Sequence, residues 1–401
     1  MRFFKNAQFD FDTRICLGYT YHRAADVGEV LATIDRIKDG DHEGWYREWF
    51  MQAQRMEAVA RKSEAAGHHV SARDAWLRAA TYYDVANGSL DGTTDPSRLV
   101  PTWRKHRAAF ARFGALWDPP FEAVEIPCEG RKMTGTLFRP TNASGRLPVL
   151  ILNNGSDGPI TSVWVAAGQA ALERGWMAVT FDGPGQGHSL WEDGIPFRPD
   201  WEKVITPVVD WLEARPDVDR DRIALYGISQ AGYWVPRAAA FEHRLAAIVA
   251  DGGVWDVASS WMAQLPAKLQ KMLREGKREE FEKAMALGLR FASETMKQTI
   301  AFRMKPYGKA SLYDVYQAVQ EYRLDAATAR QIRCPSLILD AEGDQFWPGQ
   351  PEQLYRMLDC PRTLMRFTAA EGAGMHCEPM AVGLREQRVM DWLEETVGSE
   401  Q

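Results

Sequence analysis

The chain has 401 residues, of which 45% are hydrophobic and 25% are charged. These proportions are close to those of globular proteins, and they exclude a disordered, collagen-like or disulfide-scaffold protein. The formal net charge is -6, with 48 basic residues interspersed among 54 acidic ones. Such a balance gives no electrostatic reason to expect nucleic acid or an anionic membrane as a partner, so we expect a small-molecule substrate.

Cysteine usage and the first residues of the chain indicate a compartment. The five cysteines are scattered and show no CxxC or CxxH spacing, which indicates neither a disulfide framework nor a zinc site. The first ten residues lack the apolar segment of a secretory signal. No apolar run approaches the roughly 18 residues that a membrane span needs. We therefore expect a cytoplasmic protein, and we predict no metal and no cofactor.

The first part of the chain has a helical pattern. From about residue 24 to 116, aromatic and small residues recur at helical spacing, and breaks fall near Gly40, Gly67 and residues 87–96. The sequence Asp118-Pro119-Pro120 ends this region. We predict an N-terminal helical domain over residues 1–120 with three or four helices. No steady period is present, so a repeat array is not favoured.

After Pro120 the pattern changes to short strands separated by helices. Residues 121–126 and 134–139 alternate in polarity around Gly130, which predicts an antiparallel pair. The later strand candidates are continuously apolar: residues 148–152, 176–181, 222–226, 245–250, 336–339 and 363–367. Strands that are apolar on both faces and alternate with helices indicate a mostly parallel sheet covered on both sides. The predicted fold class is therefore α/β, with its core in residues 121–255 and 326–401.

Residues 256–325 interrupt that alternation. They are rich in Met, Lys and Glu, have a helical pattern, and are far longer than a crossover between two strands requires. We predict a helical cap insertion. Packing of the N-terminal helices against it would cover the carboxyl edge of the sheet, where open α/β sheets bind their ligands.

The strongest motif is Gly227-Ile228-Ser229-Gln230-Ala231, directly after an apolar strand and before a helical run. A nucleophile elbow needs this strand-turn-helix context, because small flanking residues permit the strained turn that exposes the serine hydroxyl. Gly227 meets that need, whereas Ala231 replaces the usual second glycine. The alternative is a serine in an ordinary turn between a strand and a helix. The context favours Ser229 as a catalytic nucleophile.

A serine nucleophile needs a base that is oriented by an acid, and in the α/β-hydrolase arrangement both follow it in the chain. Asp344 lies in the acidic turn after the strand at residues 336–339, at the usual position of the acid, and Asp340 and Glu342 rank behind it. His376 is the only histidine after His243, and it lies in a glycine-rich loop after the last strand. A solvated surface histidine is the alternative. We predict the catalytic triad Ser229, Asp344 and His376.

An oxyanion hole requires two N–H donors that point at the developing negative charge. We expect one from Gln230 and the other from the loop after the strand at residues 148–152, where Gly155 permits the turn and Ser156 supplies the N–H. In the same loop, Asp157 could bind a substrate hydroxyl or enol. Capping of the turn is its equally plausible alternative.

Other motifs support this site without adding chemistry. The segment 182–189 (Asp-Gly-Pro-Gly-Gln-Gly-His-Ser) lacks the spacing of phosphate-binding loops, so we interpret it as a tight turn that supports the elbow. Some of the tryptophans near strand ends are expected to line the substrate pocket, although core packing is the commoner role for each. These tryptophans are Trp164, Trp234, Trp255 and Trp347.

Taken together, these residues resemble the α/β-hydrolase superfamily over roughly residues 121–400. The helical N-terminal region and the mid-chain cap look like the group that contains 2,6-dihydropseudooxynicotine hydrolase, fungal heptaketide pigment hydrolases and FrsA-like proteins. Residues 182–187 and 371–377 (Glu-Gly-Ala-Gly-Met-His-Cys) strengthen the resemblance. It implies the triad roles named above, places Asp157 where a member carries an extra active-site carboxylate, and implies an enzyme that can cleave a C–C bond beside a ketone. Ala231 departs from the usual pattern.

The predicted function is a serine hydrolase that forms an acyl-enzyme and cleaves a C–C bond next to a ketone, or an ester, in an aromatic or polyketide-like molecule. The alternatives are a carboxylesterase or lactonase and an acyl-enzyme cyclase or transferase. A rival from another class is a non-catalytic interaction protein with the same fold, which the intact Ser229, Asp344 and His376 disfavour. The aromatic residues of the helical domain also make a homodimer a possible assembly.

Overall fold

The computed structural model describes residues 2–398 and contains one eight-stranded sheet in the order β1-β2-β4-β3-β5-β6-β7-β8. β1 pairs with β2, and β2 with β4, in antiparallel fashion, and every other neighbouring pair in the sheet is parallel. The strands are β1 (Glu122–Cys128), β2 (Arg131–Phe138), β3 (Leu147–Asn153), β4 (Met177–Phe181), β5 (Val218–Ile228), β6 (Ala247–Asp251), β7 (Ser336–Ala341) and β8 (Arg362–Phe367).

The burial of the strands explains why their sequences differ. β3, β4 and β6 are buried at every position, whereas β1 and β2 at the sheet edge alternate between buried and exposed residues. Central parallel strands are covered on both faces and therefore need apolar residues throughout. The predicted α/β fold with a mostly parallel sheet is confirmed, and all eight predicted strands are present.

Helices precede, cover and interrupt this sheet. Before it lie α1 (Ala7–Gly18), α2 (Val27–Ile34), α3 (His42–Ala65), α4 (His69–Asn87) and α5 (Leu99–Ala115). Within the first half of the sheet lie α6 (Ile160–Val163), α7 (Gln169–Glu173), α8 (Gly187–Trp191), α9 (Glu202–Glu213) and α10 (Ala231–Ala239). Between β6 and β7 lie α11 (Ala258–Ala263), α12 (Ala267–Arg274), α13 (Arg278–Phe291), α14 (Glu294–Met304), α15 (Leu312–Ala318) and α16 (Ala326–Ala329). The remaining helices are α17 (Gln350–Met357) and α18 (Val382–Val397).

The helical pattern in the sequence began one helix too late, because α1 precedes residue 24. Asn6 caps this helix by accepting hydrogen bonds from the N–H groups of Gln8 and Phe9, which satisfies donors that have no partner inside the helix. The divisions at residues 120, 255 and 325 stay predictions. None of the helices within residues 2–398 combines the length and the apolar character that a membrane crossing needs.

Apolar clusters on both faces of the sheet hold the layers together. On one face, Trp201 and Trp234 stack with ring centroids 4.2 Å apart. On the other, Phe113 of α5 packs against Trp164 at 5.3 Å, so the N-terminal helices share a core with the sheet. Burial of aromatic side chains of this size is a major contribution to stability. The helices before the sheet therefore pack against it through a shared apolar core, and are not joined to it by the chain alone.

Candidate active site

Ser229 stands in the sharp turn between β5 and α10. Its φ is +60°, a left-handed conformation that costs energy for a residue with a side chain, and its N–H donates to the carbonyl oxygen of Asp251 at 3.0 Å. A Cβ on Gly227 would lie 2.6 Å from the carbonyl oxygen of Ala231, so glycine is required there. Ala231 is fully buried and fits beside Gly227, so the departure from the usual motif does not disturb the turn.

The three residues predicted for the triad meet in one chain of hydrogen bonds. His376 Nε2 lies 2.9 Å from Ser229 Oγ, and His376 Nδ1 lies 2.6 Å from Asp344 Oδ2. His376 and Asp344 are buried, at 4% and 7% exposure, whereas Ser229 is partly exposed. The imidazole therefore has one nitrogen fixed by the carboxylate and the other on the hydroxyl, as a general base needs.

Asp344 is held as a carboxylate. Burial alone would raise its pKa, but His376 and the N–H groups of Phe346 and Trp347 lower the pKa below its ordinary value. Those two N–H groups donate to Asp344 Oδ1 at 2.7 and 2.9 Å. The two lower-ranked candidates are occupied elsewhere: Asp340 pairs with Arg366, and Glu342 accepts the N–H of Ala369.

The loop after β3 lies against Ser229. A Cβ on Gly155 would be 2.9 Å from the Cβ of Ser229, so glycine allows this close approach. The Gly155 N–H donates to Asn154 Oδ1 at 2.9 Å, which means that Gly155 serves by its small size and not as a donor. Within residues 2–398, the N–H groups of Gln230 and Ser156 have no protein acceptor, so both are free to bind an oxyanion.

Gln186 holds this loop in place. The sequence predicted a supporting role for the segment 182–189 but did not single out this residue. Its buried side-chain amide donates to the carbonyl oxygens of Asn154 and Gly155 at 2.8 and 2.7 Å, and its side-chain oxygen accepts the N–H of Gly183 at 3.2 Å. The tight turn at residues 182–189 therefore supports the oxyanion loop. The motif at residues 182–187 was the feature of the sequence that pointed to this role.

Behind His376 lies a set of buried polar residues that the sequence reasoning missed. Cys377 and Glu378 have φ values of 56° and 44°, and Arg385 donates to the carbonyl oxygen of Cys377 at 2.6 Å. Burial raises the pKa of Asp251, and burial together with the charge of Asp251 raises the pKa of Glu378. Raised pKa values favour neutral acids, which limits the negative charge behind the histidine.

The N-terminal helices contact the same loop. Gly18 at the end of α1 lies so close to Pro379 that a Cβ would collide with its carbonyl oxygen. The next turn supplies His22, which pairs with Glu386 of α18, and both side chains are buried. The loop that carries His376 is therefore packed between the sheet and the N-terminal region.

Residues from three distant parts of the chain lie around the predicted triad. The Phe346 ring lies 4.9 Å from the His376 ring and 6.0 Å from the ring of Phe11 on α1. The guanidinium of Arg303, on α14, lies over the Phe346 ring at 5.1 Å. On a neighbouring side, Asp12 and Asp84 lie close enough to Asp157 for its charge to raise their pKa values. We call Phe11, Asp12, Asp84 and Arg303 the roof.

The carboxyl groups of the roof are electrostatically strained. Burial, with a further contribution from Asp157, raises the pKa of Asp12 to about 7, although Gln8 donates a hydrogen bond to it at 2.7 Å. Burial, with contributions from the charges of Asp157 and Asp12, raises the pKa of Asp84. Asp157 itself is exposed, and it accepts the Ser156 hydroxyl at 3.1 Å. Carboxyls in this condition bind hydrogen-bond donors or cations well, because a ligand offsets their desolvation.

The structure separates the four tryptophans expected near the pocket. Trp164 is enclosed among Phe113, Trp117, Phe121 and Phe138, and Trp234 stacks on Trp201 below the elbow. Both are fully buried in the core, away from the reacting groups, because their wide rings fill the space between helices and sheet. Trp347 does reach the site, 5.5 Å from the His376 ring. Trp255 is partly exposed and donates to Gln353 at 3.1 Å.

Comparison with protein families gives one family for this chain. The model of the X-Pro dipeptidyl-peptidase (S15) family matches residues 129–368, more than half of the sequence. The chain is 31% identical to hydrolase LUC6 of a Fusarium species, with 98% of each chain covered. It is 29% identical to 20-hydroxy-prefusarin hydrolase FUS2 of Gibberella moniliformis, with 97% of this chain and 96% of that protein covered.

Solved structures give the same fold. The structure of 2,6-dihydroxy-pseudo-oxynicotine hydrolase matches 95% of each chain with a TM-score of 0.72 at 22% identity. AbyA5 matches with a TM-score of 0.65 at 19% identity, over 93% of this chain and 91% of that one. At such identities the match extends to the fold, including the helices before the sheet, and the expected group resemblance is confirmed.

Proposed function

Because the chain belongs to the X-Pro dipeptidyl-peptidase (S15) family of α/β-hydrolases and is a hydrolase, we propose that it works as a serine hydrolase through Ser229, His376 and Asp344. The observation that carries this proposal is the unbroken hydrogen-bond chain from Ser229 Oγ through His376 to Asp344. A catalytic triad is recognised by such geometry. The free N–H groups of Gln230 and Ser156 beside Ser229 complete the set of groups that acyl transfer requires.

The proposed reaction proceeds through an acyl-enzyme. His376 Nε2 removes the proton of Ser229 as Oγ bonds to a substrate carbonyl carbon, and the carbonyl oxygen becomes an oxyanion held by Gln230 and Ser156 N–H. The bond to the leaving group then breaks, its electron pair stays with the leaving group, and His376 returns the proton there. Water, deprotonated by His376, releases the acid and regenerates Ser229.

For the substrate, we propose an aromatic or polyketide-like small molecule cleaved at a C–C bond beside a ketone, with an ester as the second candidate. The name of one relative, 20-hydroxy-prefusarin hydrolase, supports a small organic substrate. The aromatic groups next to the catalytic histidine, Phe346 and Trp347, support a substrate with a flat apolar part. In C–C cleavage the leaving electron pair forms an enolate, and His376 protonates its carbon.

The proposed substrate contacts include Asp157, whose exposed carboxylate adjoins the oxyanion loop and faces Asp12 and Asp84. Such a group would accept a hydrogen bond from a substrate hydroxyl or enol. Trp255 and Trp347 are proposed as apolar contacts of the substrate, Trp347 beside His376. We also propose a cytoplasmic location, which the five free cysteines support, and a homodimer stays an open prediction.

The test is labelling by a fluorophosphonate probe, followed by intact-mass measurement. The wild type is expected to gain one adduct, Ser229→Ala none, and His376→Ala an adduct at a strongly reduced rate. Ser97→Ala, which removes an exposed serine of the N-terminal region, is the matched control and keeps the wild-type rate. An unlabelled wild type would contradict the proposal and favour a non-catalytic interaction protein.

A further inference from the structure

In the part of the chain that the structure describes, Arg303 on α14 differs from most other arginines in having no ion-pair or hydrogen-bond partner. Among residues 2–398, no carboxylate forms an ion pair with it, and no acceptor takes its hydrogen bonds. Its guanidinium lies over the face of the Phe346 ring, at 5.1 Å from the guanidinium carbon to the ring centroid. The side chain is only partly exposed. Five N–H donors without acceptors in a partly desolvated position are an unusual arrangement.

The neighbours of Arg303 belong to the reacting centre. Phe346 packs against His376 at 4.9 Å and donates its backbone N–H to Asp344. Arg303 also lies close enough to Tyr307 for its charge to oppose the rise in the pKa of Tyr307 that burial causes. The Tyr307 hydroxyl in turn adjoins the Gln230 side chain. Phe346 therefore lies between Arg303 and His376, and Tyr307 lies between Arg303 and the elbow.

The side of the site on which Arg303 lies follows from the reaction. His376 delivers its proton to the leaving group, so the leaving group departs on the histidine side. The Phe346 ring contacts the His376 ring, and Arg303 lies over Phe346. The acidic groups Asp12 and Asp84 lie near Asp157 in the loop after β3, whose Gly155 packs against Ser229. Arg303 is therefore the basic group next to the aromatic neighbour of the histidine.

Resting on the proposed function, we propose that Arg303 binds an anionic oxygen of the leaving group. In C–C cleavage that oxygen is the developing enolate, and in ester cleavage it is a carboxylate carried by the alcohol or phenol. Arginine suits the role because its planar fork meets such oxygens with charge-assisted hydrogen bonds. Arg303 would then select substrates whose leaving group is, or becomes, negatively charged.

The experiment uses two esters with the same acetyl group and leaving groups of similar size, 4-acetoxybenzoate and 4-acetoxybenzamide. The measured quantity is the ratio of kcat/KM for the anionic ester to that for the neutral one. The acidic net charge would by itself disfavour the anion, so the wild type is expected to prefer 4-acetoxybenzoate only because of Arg303. Arg303→Met is expected to lower the ratio about tenfold or more, the usual cost of a lost charge-assisted hydrogen bond, and Arg303→Lys to lower it less.

Arg290→Met is the matched control, because Arg290 is an exposed arginine on α13 in the same insertion. Its ratio is expected to stay within about twofold of the wild type, as is usual for a remote surface change. A binding arm removes the dependence on turnover: Ser229→Ala holds both esters uncleaved, and calorimetry gives their Kd values with and without Arg303→Met.

The two arms distinguish the two proposals. A preference for bound 4-acetoxybenzoate in Ser229→Ala that disappears when Arg303→Met is added supports the role of Arg303, even where the fluorophosphonate test fails. Equal Kd ratios with and without Arg303 overturn it, even where labelling succeeds. If Arg303→Met does not fold, Arg303→Gln replaces it, and a ratio that Arg303→Lys preserves but Arg303→Gln loses supports the same conclusion.

Discussion

The proposed triad and the roof are assembled in different ways. Ser229 follows β5 directly, and Asp344 and His376 lie in the loops after β7 and β8, so the parallel sheet brings the three together at its carboxyl edge. The roof residues come from α1, α4 and α14, which are far apart in the sequence and meet only through tertiary packing. The proposed triad thus depends on short motifs that follow the strands of one sheet, whereas the groups around it depend on how separate helical regions pack.

The largest expected effect concerns the triad. Asp344→Asn would leave the shape of the site intact but replace an acceptor at His376 Nδ1 by a group that can present N–H, so the imidazole would lose its correct tautomer. We expect kcat for p-nitrophenyl acetate to fall about 10³- to 10⁴-fold. The measurement is the steady-state rate of p-nitrophenol release.

Asp340→Asn is the control for this prediction, since Asp340 is the neighbouring acidic residue at the end of β7 and pairs with Arg366. Its rate is expected to stay within about threefold of the wild type, because it is Asp344 and not Asp340 that holds His376 Nδ1. A loss in Asp340→Asn as large as that in Asp344→Asn would assign the acid to Asp340 and break the geometric argument.

The sequence was sufficient for the fold and for the residues that now form the hydrogen-bonded triad. Ser229 had its glycine, strand and helix in one short motif, and His376 was the only histidine after His243. Arg303, Phe11 and Asp12 carried no such motif, because an arginine or an aromatic on a helix has the same pattern whether it faces solvent, core or substrate. Their role depends on the docking of helices separated by hundreds of residues, which local patterns do not contain.

The tryptophans also show what local sequence patterns do not predict. Trp164 and Trp347 both stand near strand ends in the sequence, yet the first is enclosed by aromatic rings of the core and the second lies beside His376. Position along the chain places a side chain at the right edge of the sheet. The packing of its neighbours decides whether that side chain faces inward or toward the site.

A smaller effect tests whether the two regions are mechanically joined. Gly18→Ala would place a methyl group against the Pro379 carbonyl oxygen, next to the loop of His376. The helical φ and ψ of Gly18 (-62° and -32°) suit alanine, so the whole cost arises from this contact. We expect a loss of about 1–3 kcal/mol in the free energy of unfolding, measured by urea denaturation, together with slower fluorophosphonate labelling.

Gly288→Ala is its matched control, because Gly288 lies in α13 with open space around it. Alanine there is expected to stabilise the protein by up to about 1 kcal/mol through helix propensity, with no change in labelling. Slower labelling in Gly18→Ala without any loss of stability would still support coupling. Equal behaviour of both variants would mean that the N-terminal region packs on the sheet without influencing the triad.

A further expected effect, on stability alone, concerns the carboxyl groups of the roof. The pKa of Asp12 is about 7 in the folded protein and about 3.9 in an unfolded chain. Between pH 4 and 7 the folded state therefore keeps a proton that the unfolded state has released, and stability falls as the pH rises through that window. Asp12→Asn keeps the acceptor for Gln8 but does not titrate, so its advantage in free energy of unfolding over the wild type should be larger at pH 8 than at pH 5.

Urea denaturation at both pH values measures this difference, and Asp35→Asn, at an exposed aspartate beside α2, should show no such dependence on pH. A constant difference between Asp12→Asn and the wild type would mean that Asp12 titrates normally, and that the carboxyls near Asp157 are solvated rather than crowded. The predicted rise would instead show that the fold holds an acidic group in a costly state beside the reacting centre. A substrate with hydrogen-bond donors would offset this cost when it binds. The strained carboxyl groups of the roof are therefore expected to act in substrate recognition, and not in the proton transfers proposed for the triad.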